Sequence, residues 1–89
     1  MQRRRDLREA IERITEMEAI FDRLLEIHEK DSAALRADAA EMLEQLIRYY
    51  ESPLWRADFE LDEQGLLPGG LKRGILSEDG IYNFLSEIR

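Results

Sequence analysis

Apolar side chains recur at a helical period through residues 2–29, a run of about eight turns. Advancing ~100° per residue places Leu7, Ala10, Ile11, Ile14, Met17, Ile20, Phe21, Leu24, Leu25, Ile27 and His28 on one arc of roughly 200°. An amphipathic helix that faces a single neighbour needs a stripe of only about 100°. Ile20 and Ile27, at the margin of the arc, therefore predict a second neighbour, supplied either by the C-terminal segment or by another chain. With Met17 and Leu24 they form the expected interface. Composition carries the same signature: Ala, Glu, Lys, Leu and Arg supply 47 of the 89 residues, valine is absent and Thr15 is the only threonine. The predicted fold class is all-α.

Lys30-Asp31-Ser32 interrupts the pattern, with Asp31 or Ser32 placed to cap a second helix over residues 32–51. So short a connection forces the two helices antiparallel, an αα-hairpin. Ala33, Ala34, Ala37, Ala39 and Ala40 near the turn then face the bulky Phe21, Leu24, Leu25 and Ile27. Ser52-Pro53 stops the second helix and starts a third, with Ser52 as N-cap and Pro53 at the first helical position. That helix is predicted to end near Gly65. Residues 66–74 hold Pro68 and three glycines and read as a loop. Ser77 is expected to cap a last helix over residues 78–88, with Glu78 and Asp79 at the positive end of its dipole and Leu76 stapled onto Ile81. At 89 residues and 10.5 kDa the chain holds one core. The expectation is a single domain over residues 1–89: an antiparallel helical hairpin (1–51), then two short helices around a Gly/Pro-rich loop (52–89).

Charge narrows the function classes. The net charge of −7 and pI of about 4.7 oppose phosphate binding, so no nucleic-acid partner is expected. Arg3-Arg4-Arg5, the one basic run, reads as a solvated, frayed end. The longest stretch without a charge is the eight residues from Gln64 to Leu71, far below the ~18 needed to span a membrane. Asp6, Arg8, Glu9, Glu12 and Arg13 interrupt any apolar signal segment after the basic start, which predicts a soluble cytoplasmic protein with no membrane partner. With no cysteine, disulfides, thiolate metal sites and thiol catalysis are excluded together.

Residues 54–63 are the most informative. On a helical wheel Asp58 and Asp62 fall inside the apolar arc of Leu54, Trp55, Phe59 and Leu61. A buried, unpaired carboxylate costs several kcal/mol, so each should have a partner. The nearest cations in sequence are Lys72 and Arg73; backbone N–H groups of the glycine loop or at the Ser77 cap are the alternatives. Asp58 or Asp62 is thus expected to clamp residues 66–74 and fix the final helix.

The same carboxylates, with Glu63, are candidate ligands for Mg²⁺ or Mn²⁺. Asp58, Glu60 and Asp62 have the alternating spacing of an EF-hand loop, but Glu63 stands where glycine is needed and Gly69 where a bidentate glutamate is needed. A P-loop is rejected too, because Lys72 comes one residue late, no Ser/Thr follows it and no strand precedes. A weaker anion site from Gly69-Gly70, Lys72, Arg73 and the last helix N-terminus is the remaining phosphate-like option. His28, the only histidine, has no zinc-pair or triad partner and reads as packed or hydrogen-bonded near the hairpin turn. Tyr49, Tyr50, Trp55 and Phe59 read as an aromatic junction between hairpin and C-terminal unit, with a recognition patch as the alternative.

The run 49–63, then Leu67-Pro68, then Leu71-Lys72-Arg73-Gly74-Ile75-Leu76-Ser77-Glu78-Asp79-Gly80-Ile81-Tyr82 resembles a bacterial family of small acidic proteins, domain of unknown function 4298. That resemblance covers about residues 49–85 and carries a tyrosine pair, a Ser-x-x-Trp-x-x-Asp-Phe stretch and a Leu-Lys-Arg-Gly-hydrophobic-Leu-Ser-Glu-Asp block. It implies a bacterial cytoplasmic protein and transfers no catalytic or ligand residue. Gly69-Gly70 departs from the more polar residues expected after the proline.

The residues together predict a non-enzymatic interaction or scaffold module without a cofactor, homodimeric through the spare edge of the first helix. The same surface suits a different protein partner, and the acidic exposed face favours a basic one. The alternative is a small-ligand, anion or divalent-metal binder using Asp58, Asp62, Glu63, Lys72 and Arg73.

Overall fold

In a computed structural model that describes residues 2–88, the first apolar run forms one helix, α1 (Gln2–Lys30). Side chains are described throughout except at residues 2–5, 32, 36, 38 and 78, so the Arg3-Arg4-Arg5 run, Ser32 as a cap and Glu78 at its dipole lie outside the described side chains. Asp31 alone separates α1 from α2 (Ser32–Asp38), and its carboxylate caps α2 by accepting from Ala33 N–H at 3.1 Å.

The expected second helix is bent in two. At Ala39 the backbone leaves the helical region (φ −123°, ψ 21°) before α3 (Ala40–Tyr50) resumes. No glycine or proline stands there; Ala39 is buried in the core, and the bend keeps both α2 and α3 against α1, from which a straight helix would diverge at ordinary crossing angles. α3 runs back along α1 as expected, since Tyr49 at its end and Arg13 near the start of α1 share one carboxylate.

α4 (Pro53–Glu63) follows with Pro53 at its first turn. Ser52 has the extended backbone of an N-cap, yet its hydroxyl donates back to Tyr49 O at 2.7 Å instead of accepting from α4. Gly65 ends α4 as predicted: at φ +71° it lets Gly65 N–H bond Asp62 O and Leu66 N–H bond Leu61 O, at 3.0 and 3.1 Å. The loop that follows closes in a short 3₁₀ turn, Gly74–Leu76, that the glycine-rich composition hid. Ser77 then caps α5 (Glu78–Ile88), its hydroxyl accepting from Gly80 N–H at 3.3 Å.

Both expected parts share one core. Ile14 and Leu24 of α1, Leu35 of α2, Leu46 of α3, Ile75 and Leu76 of the 3₁₀ turn and Ile81 of α5 are all fully buried in it. Phe84 of α5 meets Phe21 edge-on, with centroids 5.6 Å apart. Among the described residues there are five α-helices and no strand, and no helix is long and apolar enough to cross a membrane.

Candidate functional site

α4 lays Asp58 fully buried between α1 and α3. Arg13 grips it with two bonds, Nε to Oδ2 at 2.9 Å and Nη2 to Oδ1 at 2.6 Å. The Tyr49 hydroxyl donates to Oδ2 at 2.7 Å. The expected partners, Lys72, Arg73 and the loop amides, are therefore corrected for Asp58: packing of α4 across α3 and α1 brings up groups from the first half of the chain instead. The hydrogen bond to Asp58 raises the Arg13 pKa, outweighing the loss of solvation. Burial first, and then the bond to Asp58, push the Tyr49 phenol up as well, so it stays neutral.

Asp62 does hold Arg73, at 2.6 Å, and so ties the end of the loop to α4 as expected. Lys72 does not join them. It pairs with Asp22 of α1 at 2.7 Å, so the two adjacent cations point to different helices. That splay removes the convergent anion site expected from Gly69-Gly70, Lys72 and Arg73. Ser77 is likewise occupied as a helix cap and binds neither aspartate. Glu63 is exposed, and among the described residues no group of three His, Cys, Asp or Glu is placed to hold a metal ion.

A third anchor was missed at the sequence level. Glu18 of α1 is 6% exposed, and its Oε2 accepts from Ile75 N–H at 2.7 Å. The carbonyl of Ile75 accepts from the Trp55 indole at 3.0 Å. Both main-chain polar groups of this buried residue are thus satisfied by side chains from two helices. Gly74 permits the approach, because a Cβ there would stand 3.1 Å from Glu18 Oε1. The signal was available: on the α1 wheel Glu18 falls between Ile11 and Leu25, and Arg13 between Ile20 and Leu24, inside the arc counted as apolar.

Of the expected interface, Leu24 is corrected to a core residue, fully buried within the single chain. Met17, Ile20 and Ile27 are half-buried and pack against that same core. The aromatic junction forms, Trp55 lying edge-on to Tyr50 at 5.1 Å and stacked on Phe59 at 5.2 Å. Tyr49 plays a different part, as a polar partner of Asp58. His28 is packed as expected, its ring edge-on to Phe84 and its Nε2 3.3 Å from Glu87 of α5.

The sequence profile described as Domain of unknown function (DUF4298) matches residues 14–89. The chain belongs to this family. The DUF4298 match reaches well beyond the 49–85 block, taking in Glu18 and Asp22 of α1 as well. No curated protein and no solved structure matches the chain. In this DUF4298 protein Arg13, the main partner of Asp58, lies one residue before the matched segment.

Proposed function

We propose that this DUF4298 chain is a non-enzymatic protein–protein interaction module of the bacterial cytoplasm, and that its first partner is a second copy of itself. The observation that carries the reading is an open apolar groove of about 390 Å³ on α3, lined by Ala40, Leu43, Glu44, Ile47 and Arg48. Leu43 and Ile47, one turn apart on α3, are only half-buried.

An ion pair favours a second copy over another occupant. Glu44 and Arg48, both exposed and 2.7 Å apart, flank the groove one turn from each other. Two copies of α3 laid antiparallel about a two-fold axis would set Glu44 of each beside Arg48 of the other, a self-complementary arrangement. The expected contact thereby moves from α1 to α3.

Two further features fit. Asp58 and Asp62, the carboxylates best placed for acid–base work, are engaged by Arg13, Tyr49 and Arg73. A cysteine-free chain this small suits a reducing compartment, where disulfides do not persist. Light scattering over a micromolar concentration series tests the assembly: a dimer is expected, and Ile47→Glu is expected to give a monomer with unchanged helical circular dichroism. A wild-type monomer at every concentration would refute self-association.

A further inference from the structure

Beside the loop anchor lies a cleft between α1 and the glycine loop that the interaction reading leaves unused. Its volume is about 370 Å³, and Thr15, Glu18, Ala19, Asp22, Leu71 and Lys72 line it together with Gly70. Glu18 and Asp22 stand four residues apart on α1, which puts both carboxylates over the same turn.

Glu18 is the unusual member. A carboxylate more than nine-tenths buried normally collects several donors, yet here only Oε2 is bonded, by Ile75 N–H. Oε1 accepts no hydrogen bond among the described residues, and it is not among the buried polar atoms cut off from solvent. That oxygen, close to Gly74, therefore keeps some contact with solvent, and Glu18 is part of the cleft wall. Among the described residues Lys72 is the only cation lining it, and its ammonium is bound to Asp22, at 2.7 Å, with Glu18 adding a weaker attraction. Two negative charges thus share one exposed, mobile-stemmed positive charge. The wall between them is apolar, formed by Ala19 and Leu71.

We propose that this cleft binds an alkylammonium group, whose methylenes lie on Ala19 and Leu71 and whose –NH₃⁺ bonds Glu18 Oε1 and Asp22, displacing Lys72 into solvent. The displaced side chain is 73% exposed already, so it loses little by moving. The net charge of −7 draws cations toward the surface over a longer range. A free aliphatic amine and the lysine side chain of a partner protein offer the same chemistry.

NMR titration with cadaverine, pentylamine, pentanol and Nα-acetyl-lysine methylamide tests it. Saturable shifts at residues 15–22 and 70–75 are expected with the amines and none with pentanol. Glu18→Gln keeps the acceptor for Ile75 N–H while removing the charge, and should weaken binding by about tenfold or more. Lys72→Ala removes the internal competitor and should tighten it by roughly 2–5-fold. Stronger binding of cadaverine points to a free amine, and stronger binding of the lysine derivative to a partner's side chain. Equal binding by Glu18→Gln and the wild type, or no saturable shift in either the wild type or Lys72→Ala, would overturn the proposal.

Discussion

Asp58 and Tyr49 show how much a single buried group depends on its surroundings. Buried and bonded to Asp58, the Tyr49 phenol has its pKa raised from an ordinary value of 10.0. Since the folded value lies above the unfolded one, the stability it contributes is complete below pH 10 and is lost as pH rises further, when the unfolded chain ionises first. Tyr49→Phe removes one charge-assisted hydrogen bond and is expected to cost about 1–3 kcal/mol at neutral pH. Urea melts across a pH series should show that gap holding to about pH 10 and closing above it. A gap that stayed constant well above pH 10 would contradict the neutral, carboxylate-bonded phenol. The presence of a buried carboxylate at Asp58 was legible from the wheel of α4, because an acid inside an apolar arc has to be accommodated. Its partners were not legible, because they come from 45 and 9 residues away.

Element boundaries were the most readable level. Asp31, Pro53, Gly65 and Ser77 act where local backbone chemistry says they should, each through groups within a few residues. Gly65 offers the sharpest test: its φ of +71° strains any L side chain, although a Cβ there would meet nothing within 4 Å. Gly65→Ala is expected to lower stability by about 1 kcal/mol through backbone strain alone, read as a shifted urea midpoint with an unchanged slope. The bend at Ala39 and the 3₁₀ turn at Gly74–Leu76 escaped local reading for one reason. The first follows the surface of α1, and the second is held by Glu18 and Trp55, so neither is encoded by its own neighbours.

At the scale of the molecule α1 is the spine. Its 29 residues, about 43 Å at 1.5 Å each, set the long dimension of a body 45 × 22 × 21 Å in extent. Along it Arg13 holds α4, Glu18 the 3₁₀ turn, Asp22 the loop and His28 α5. Hairpin and C-terminal unit should therefore unfold together, with coincident transitions by circular dichroism and Trp55 fluorescence. Arg13→Met, by leaving Asp58 buried without its main partner, is expected to lower both midpoints in step, at a cost of about 3 kcal/mol. Separate transitions would mean that the two halves do not depend on each other. The sequence by itself determined the helical class, the hairpin and the places where helices start and stop, because periodicity and capping act over three or four residues. Only the tertiary structure decided which cation meets which carboxylate. Ion pairing follows distance in space, and α1 brings together charges that the chain separates by 45 and 50 residues.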